Sequence, residues 1–345
     1  MIRTNSLFPT IYGRNLVAEL RHFVHRPYLV VTMADLWPQF AHLFDSHMSQ
    51  VYMVHTLEHE ALQGEVEKLP ACNSVIGLGG GQALDVAKYV SWVRQIPLFQ
   101  VPTALTVDAA FGHRSAIRFA GQVRYIGWAV PQAVYVDYDV VQGAPPLLNR
   151  SGIGDVLCYH TAHADWKLAH ARGKTEAQWP YDEGLVAEAR QVLDAVMGKL
   201  DDIREGTAEG LHTLAEALRW GGAAYHNAGW NARHLEGVEH FIAYALEYHT
   251  GKRFIHGQPV CLGVYIGATM QDNQAGEMLQ AIHRAGVDIR PQAMGVTWDD
   301  VAETLYGLGT FVQEAGLWYT IANETTVSGP LIEEIRRRVE ETYGS

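Results

Sequence analysis

Three adjacent glycines, at positions 79–81, constrain this chain more than any other local feature. They lie in VIGLGGGQALDVAK (75–88), between an apolar run that ends near Ile76 and a helical pattern that begins at Ala83. A strand-to-helix turn of bare backbone can approach a ligand closely because no Cβ intervenes. Its N–H groups and the positive end of the helix dipole favour phosphate oxygens. The stretch therefore predicts a turn that binds a dinucleotide pyrophosphate.

The glycine pattern alone leaves a second interpretation open. It departs from G-x-G-x-x-G because Gln82 stands where the last glycine belongs, and it lacks the Gly-Lys-Ser/Thr ending of a P-loop. A tight turn that only packs a helix on a strand would use the same glycines. Asp85 and Lys88 follow on the helix, where their spacing favours a solvent-facing position over a role in ligand binding.

The chain changes character near residue 146. Upstream, short β-type runs alternate with helical patterns, which predicts a parallel sheet covered by helices, with a hairpin near 115–128. Downstream, apolar positions recur mainly at helical spacing. We therefore predict an α/β Rossmann-like nucleotide-binding domain at 1–146 and an all-α domain at 147–345.

Charge, apolar runs and cysteines narrow the class of protein. The chain has 38 acidic and 26 basic residues, a net charge of −12, so no nucleic-acid partner is expected. Its longest apolar run, 260–270, is about half the length of a membrane span, and the N-terminus lacks a signal-peptide layout. Cys72, Cys158 and Cys261 are widely separated, which suggests reduced thiols and a cytoplasmic protein without a membrane segment.

Three positions in the second half carry side chains that bind metals. Asp155 follows a glycine-containing turn, His240 heads an apolar-striped helix, and His256 lies on a predicted loop. One carboxylate and two imidazoles, with a coordination position left open, suit a catalytic Zn²⁺ or Fe²⁺. Neighbouring histidines leave alternatives open: His226, His234 and His249.

Six segments, read in order, resemble the iron-containing alcohol dehydrogenase-like superfamily, which includes glycerol dehydrogenases, glycerol-1-phosphate dehydrogenases and dehydroquinate synthases. The segments are GGGQALDVAK (79–88), VPTALTVDAA (101–110), VYVDYDVV (134–141), SGIGDVLCYHTAHADWKLA (151–169), GVEH (237–240) and HGQPV (256–260). Each is weak alone, but six in the family's order over most of the chain are specific. The resemblance implies a dehydroquinate synthase-like fold, an active site between the two domains, and a homo-oligomer.

The resemblance also assigns roles to residues. The implied cofactor-binding positions are Gly79, Gly80, Gly81, Asp85, Thr103 and Thr106. Asp108 falls on a position that binds substrate, and the implied metal ligands are Asp155, His240 and His256. Asp35 lies about two places later than the acid that usually selects NAD. An Asp35 that reaches the adenosine ribose hydroxyls would favour NAD over NADP, and the choice between the two cofactors stays open.

Within the superfamily, the run from Gly152 to Trp166 and the GVEH segment are most similar to glycerol-1-phosphate dehydrogenases. That branch usually has a second histidine that contacts substrate one turn after His240, where this chain has Tyr244. Arg114 and Arg118 replace apolar or aromatic side chains of glycerol dehydrogenases. They would suit an anionic substrate or, equally, an outward hairpin face.

These observations predict reversible hydride transfer between a polyol or polyol phosphate and NAD or NADP. The hydride would leave a substrate alkoxide that is stabilised by Zn²⁺ or, alternatively, by Fe²⁺. A sugar phosphate cyclase resembling dehydroquinate synthase is the main alternative. Such a cyclase is expected to have a glutamate as first ligand and several lysines around the substrate, whereas here the first ligand is Asp155 and the segment directly after it offers only Lys167. A non-catalytic nucleotide-binding relative is a third interpretation.

Overall fold

The computed structural model describes residues 7–344, which divide into two compact units. The first contains residues 7–145 with Arg219–His226, and the second contains Pro146–Leu218 with 227–344. A division at residue 146 alone would put Arg219–His226 in the second unit, but this segment belongs to the first. At Gly222 a Cβ would lie 2.7 Å from the backbone carbon of Phe111, so glycine allows this segment to pack with the first unit.

The first unit contains eight described strands. They are β1 (Thr10–Gly13), β2 (Tyr28–Thr32), β3 (Met48–Met53), β4 (Ser74–Gly79), β5 (Leu98–Pro102), β6 (Ser115–Phe119), β7 (Gln122–Ile126) and β8 (Ala133–Asp137). Six of them form a sheet in the order β1-β8-β5-β4-β2-β3, with every pair parallel. β6 and β7 form the predicted antiparallel hairpin.

Helices cover both faces of this sheet. They are α1 (Leu16–Leu20), α2 (Trp37–Phe40), α3 (His59–Val66), α4 (Gly81–Arg94) and α5 (Tyr138–Gly143), with 3₁₀ turns at Ala41–Leu43 and Asp108–Ala110. Alternate residues of β2 enter two separate apolar cores, Leu29 and Val31 on one face, Tyr28 and Val30 on the other. Because both faces are covered, β2 is buried along its whole length.

The carboxyl ends of β2, β4 and β5 lie side by side at one edge of the sheet. The strand order reverses there, since β3 is added on one side of β2 and β4 and β5 follow on the other. The backbone N–H of Thr103 donates to the carbonyl of Gly79, 3.0 Å away, and so continues the β4–β5 pairing into the following loops. In open α/β sheets, ligands bind outside such a reversal point.

The second unit is helical throughout residues 146–218 and 227–344. Its helices are α6 (Pro146–Ser151), α7 (Gly154–Ala171), α8 (Glu183–Met197), α9 (Leu200–Glu205), α10 (Ala208–Asn227, of which Arg219–His226 belong to the first unit), α11 (Val238–Thr250), α12 (Gly257–Met270), α13 (Ala275–Arg284), α14 (Trp298–Glu314) and α15 (Gly329–Tyr343). Two 3₁₀ turns lie at Pro291–Met294 and Ile321–Asn323. The predicted fold class, a Rossmann-like α/β part followed by an all-α part, is confirmed.

Glycines let α12 approach α7 and α11 more closely than other residues would. A Cβ at Gly257 would lie 1.7 Å from the carbonyl oxygen of Ser151, at the end of α6 just before α7. A Cβ at Gly263 would lie 2.2 Å from the carbonyl oxygen of Glu239 on α11. Since backbone atoms cannot move aside as side chains do, these glycines fix the spacing of the three helices.

The solvent-facing interpretation of Asp85 and Lys88 is wrong. Both side chains are buried, and Lys88 Nζ lies 2.8 Å from Asp85 Oδ1. Lys88 also donates to the carbonyl of Arg114, 2.7 Å away. Charges three residues apart usually share a solvated helix face, but α4 is packed between the sheet and the β6 segment, which encloses both. The pair therefore ties α4 to the segment that follows Asp108.

Between residues 7 and 344, no helix combines the length and the apolar character that crossing a bilayer requires. Between residues 7 and 344 no cysteine forms a disulfide; Cys158 and Cys261 are buried and Cys72 is partly buried. A cytoplasmic location stays a prediction from the cysteine usage.

Candidate metal centre and nucleotide turn

The N-terminal ends of α7, α11 and α12 bring three predicted ligands together. Asp155 is the second residue of α7, His240 is the third residue of α11, and His256 immediately precedes α12. Asp155 Oδ1 lies 3.2 Å from His256 Nε2 and 3.8 Å from His240 Nε2. One donor atom from each residue lies within 4.8 Å of the others. This is the spacing of atoms that share one cation.

The electrostatics of the trio suit a divalent cation. Burial would raise the pKa of Asp155, but the imidazoles of His256 and His240 hold it well below its usual range, so the carboxylate is ionised. The positive end of the α7 dipole acts in the same direction. A buried carboxylate with two imidazole nitrogens matches the preferences of Zn²⁺ and Fe²⁺, and His256 is about one-third exposed (36%), which leaves a route for a ligand.

Glu239, which the sequence analysis did not single out, determines how His240 presents its ring. Its Oε1 accepts from His240 Nδ1, 2.9 Å away, and from the backbone N–H of Gly237, 2.6 Å away. Its Oε2 accepts from the Thr161 hydroxyl, 2.6 Å away. Because Nδ1 carries the proton in this bond, Nε2 is the nitrogen that is free to bind a metal. The glutamate beside the histidine in GVEH was the available sequence signal.

Glu239 also belongs to a second cluster of donor atoms. Cys158, Glu239 and His240 each offer one atom within 4.8 Å of the others, and all three residues are buried. Both oxygens of Glu239 already accept hydrogen bonds from Gly237, Thr161 and His240. We therefore interpret Glu239 as a residue that orients His240 rather than as a metal ligand.

We expect Glu239→Gln to lower metal affinity by about 10- to 100-fold, as loss of a carboxylate behind a ligating histidine generally does. The amide oxygen is a weaker acceptor than a carboxylate oxygen. The amide NH₂ group would also face one of the hydrogen-bond donors, from Gly237, His240 or Thr161, that a carboxylate oxygen now accepts from. Competition with a chromogenic chelator measures the effect. The matched control is Glu303→Gln. Glu303 lies 3.2 Å from His249, which is on the same helix as His240 but is more exposed and is not part of the trio. Equal metal affinity in the two variants would contradict the assignment.

The alternative histidines lie elsewhere. His249 pairs with Glu303 near the end of α11, and His234 is buried near Trp166, with ring centroids 6.4 Å apart. His226 belongs to the first unit, where its ring contacts those of His113 and Trp128. None of the three is part of the trio.

The three glycines of the turn have different surroundings. At Gly79 a Cβ would lie 2.7 Å from the Cβ of Ala83, and at Gly81 it would lie 3.0 Å from Val107. At Gly80, nothing lies within 4 Å of the Cβ position. Gly80 precedes α4, and no side chain caps the first amides of that helix. Close packing against Ala83 therefore explains why residue 79 is a glycine. At Gly80, by contrast, the open space and the uncapped N–H groups at the start of α4 make this the point where an anion can approach.

The remaining predicted residues of the first unit lie near the same sheet edge. Asp35 is exposed in the turn after β2, whereas Thr103 is buried directly after β5. Thr106 and Asp108 follow in the same loop, where both are partly exposed. Their contacts with a nucleotide or substrate stay predictions.

The other predicted substrate residues have distinct surroundings. Arg114 precedes β6 and is partly exposed, while Arg118 on β6 donates to the carbonyl of Gly121, 2.8 Å away, within its own hairpin. In the second unit, the ring of Tyr244 lies one turn after His240, with centroids 6.0 Å apart. Within the helical unit, Tyr244 is therefore a predicted substrate residue that lies beside a member of the trio.

This chain is similar to known proteins in sequence and in fold. Residues 38–145 match the family described as iron-containing alcohol dehydrogenase. A glycerol-1-phosphate dehydrogenase [NAD(P)+] of Thermofilum pendens is 32% identical over 248 residues, which cover 71% of this chain and 70% of that protein. Its counterpart in Pyrococcus furiosus is 28% identical, over 86% of this chain and 87% of that protein.

The chain belongs to the iron-containing alcohol dehydrogenase family. The fold agrees with this membership, since a probable glycerol dehydrogenase from Sinorhizobium meliloti superimposes with a TM-score of 0.74 over 98% of both chains, at 18% identity. A glycerol dehydrogenase from Schizosaccharomyces pombe gives 0.72 over 98% of this chain and 92% of that one, also at 18% identity. The family resemblance inferred from the six segments is therefore confirmed.

Proposed function

We propose that this chain is a metal-dependent, NAD(P)-linked dehydrogenase of a polyol or polyol phosphate, with glycerol 1-phosphate as the first candidate substrate. The observation that carries the proposal is the meeting of Asp155, His240 and His256 at the ends of three helices. Relatives named glycerol-1-phosphate dehydrogenase, similar over most of the chain, support the substrate class.

Asp155, His240 and His256 hold the metal in this proposal. A divalent ion bound there supplies Lewis acidity that lowers the pKa of a substrate hydroxyl. Glu239 keeps the His240 Nε2 lone pair directed to the trio, through the bond to Nδ1. Zn²⁺ is our first choice because a carboxylate with two imidazoles and an open position is a common catalytic zinc set, and Fe²⁺ is the alternative.

The glycine turn of the first unit holds the nicotinamide nucleotide, which supplies the hydride acceptor. The N–H groups at the start of α4 bind the pyrophosphate, and Gly80 permits its approach. Asp35, exposed after β2, accepts from the adenosine ribose hydroxyls, which favours NAD over NADP. Thr103 and Thr106 complete the cofactor positions.

We expect Gly80→Ala to weaken NADH binding at least tenfold, or about 1.4 kcal/mol, while the free energy of unfolding changes by less than about 0.5 kcal/mol. The backbone at Gly80 is extended (φ −80°) and the Cβ would meet no protein atom, so only the nucleotide would oppose it. Fluorescence titration with NADH measures the affinity. Gly64→Ala, which also meets nothing within 4 Å, is the matched control. Unchanged NADH affinity would show that the nucleotide does not approach Gly80.

Three side chains are assigned to the substrate. Asp108 accepts from a substrate hydroxyl, and Tyr244 extends the site from the turn after His240. Arg114 binds the anionic group, for which a guanidinium is well suited. An aspartate, a phenol and a guanidinium together suit a substrate with both hydroxyl and phosphate groups.

The test is a spectrophotometric assay of NADH or NADPH formation by the metal-loaded protein with glycerol 1-phosphate, glycerol and other polyols. Steady accumulation of reduced cofactor that depends on added Zn²⁺ or Fe²⁺ is the expected result. Consumption of a sugar phosphate without net reduced cofactor would indicate a cyclase instead. No turnover by protein that binds both metal and nucleotide would refute the dehydrogenase proposal.

A further inference from the structure

The helical unit contains a cavity of about 550 Å³ that is separate from the candidate metal centre. One face of α7, one face of α8 and the connection between α12 and α13 line it. His163, at its wall, lies eight residues after Asp155 on α7, about 12 Å further along the helix axis. The volume is within the range of sites that bind small molecules.

Two residues of the cavity lining each contain a buried hydrogen-bond acceptor that has no partner among residues 7–344. His163 is 6% exposed; its ring bonds to the backbone of His234, and Nε2 has no partner. Burial, with the nearby Arg190 charge, lowers the pKa of His163 to about 3, so the ring is neutral and Nε2 presents a lone pair. Gln271 donates from Nε2 to the carbonyl of Thr161, 3.0 Å away, and its buried Oε1 has no partner. Both atoms require hydrogen-bond donors.

Charged side chains surround the opening of the cavity. Lys167 and Arg190 line it, are exposed, and have no ion-pair partner among residues 7–344. Asp194 and Asp272 also line it, and they add further acceptors. Glu277 accepts from Gln274, 2.9 Å away. Carboxylates and cations therefore lie together on the lining, and a ligand with hydroxyl groups, which both donate and accept hydrogen bonds, suits this mixture better than a bare anion does.

The connection that closes one side of the cavity is strained and firmly held. Asp272 and Gln274 have φ values of 49° and 50°, in the left-handed region that non-glycine residues rarely adopt. His160 Nε2 donates to the carbonyl of Asn273 between them, 2.9 Å away. Strained residues of this kind cluster at ligand-binding sites, and the bond to α7 keeps this wall in place without a ligand.

We propose that this cavity is a second ligand site, distinct from the metal centre, that binds a small polyol or its phosphate ester through hydroxyl donors. One hydroxyl donates to His163 Nε2 and another to Gln271 Oε1. Arg190, Lys167 and Asp194 bind the remaining groups at the opening. A phosphate on the ligand would add contacts with Lys167 and Arg190, whereas a neutral polyol would use the hydroxyl contacts alone. The proposal does not depend on the reaction assigned to the metal centre.

The test is isothermal titration calorimetry of the metal-loaded protein with sorbitol, sorbitol 6-phosphate and inorganic phosphate, with the shift of the labelled His163 imidazole followed by NMR. Ala164→Leu places a larger side chain on the α7 face of the cavity and removes no hydrogen-bonding group. We expect it to raise Kd at least tenfold. Ala187→Leu, exposed on α8 outside the cavity lining, is the matched control and should change Kd less than twofold.

Other variants separate the possible results. If the phosphate ester is the better ligand, the double variant Lys167→Gln/Arg190→Gln should bind sorbitol 6-phosphate more weakly, with a smaller change in its affinity for sorbitol. Equal affinity of the unsubstituted protein for the two ligands would indicate that the natural ligand is a neutral polyol. Asp155→Ala should leave this binding unchanged. No saturable binding, binding of inorganic phosphate as tight as that of either polyol, binding unaffected by Ala164→Leu, or binding lost with Asp155→Ala would each overturn the proposal. Calorimetry reads binding directly, so absence of dehydrogenase activity leaves this test intact.

Discussion

Asp155→Ala and His256→Ala should each remove the bound metal and lower turnover by about a thousandfold or more, while the protein stays folded. A Lewis acid supplies several kcal/mol at the transition state, and each 1.4 kcal/mol is worth a factor of ten in rate. Asp155 supplies the anionic donor of the trio, since its Oδ1 lies 3.2 Å and 3.8 Å from the two imidazole nitrogens.

His256→Ala is the cleaner of these two variants for folding. His256 is about one-third exposed (36%) and precedes α12, so truncation leaves no large cavity. Elemental analysis gives metal content, circular dichroism reports the fold, and cofactor reduction gives activity. His249→Ala is the control, because His249 is exposed to a similar extent (37%) and pairs with Glu303 away from the trio. Full metal occupancy in both folded variants would refute the ligand assignment.

Gly257→Ala should destabilise the helical unit by at least about 3 kcal/mol and weaken metal binding. The new Cβ would lie 1.7 Å from the carbonyl oxygen of Ser151, so α12 would have to move away from the start of α7. Overpacked sites usually lose about 1–3 kcal/mol, and here the obstacle is backbone that cannot change rotamer. Since Gly257 follows His256 and contacts Gly154 before Asp155, the same movement separates two ligands.

Denaturant unfolding and chelator competition measure the two effects of Gly257→Ala. Gly276→Ala on α13 is the control, because its Cβ meets nothing within 4 Å. That substitution should leave stability unchanged or raise it by up to about 1 kcal/mol, the usual difference between glycine and alanine in a helix. An unchanged unfolding midpoint and metal affinity in Gly257→Ala would contradict the close approach of α12 to α7.

The parallel-sheet architecture could be predicted from the sequence because its signals are local. The apolar run before Gly79 and the helical pattern after Gly81 are contiguous, and they correspond to β4 and α4. The strand β1, by contrast, is only four residues long, TIYG, directly after Pro9, and so short a run did not identify it as a strand. Its pairing with the distant β8 is what makes it a strand.

Local sequence patterns led to wrong expectations mainly about which charged side chains are buried. Asp85 and Lys88 have the spacing of a solvated pair, yet the sheet and the β6 segment enclose them. Glu239 was passed over for a similar reason, since a glutamate beside a histidine is common on exposed helices. Its role depends on Thr161 and Gly237, which reach it only in the folded unit.

The sequence by itself determined which chemical groups were available, the order of the structural elements, and the family, because residue types and their order are read along the chain. Only the tertiary structure decided that Asp155, His240 and His256 share one small volume, since glycines on α12 set the distance between helices that are far apart in sequence. It also decided which nitrogen of His240 is available and that His163 and Gln271 line a separate cavity. Such facts depend on distances of a few ångströms between remote segments, which no local pattern encodes.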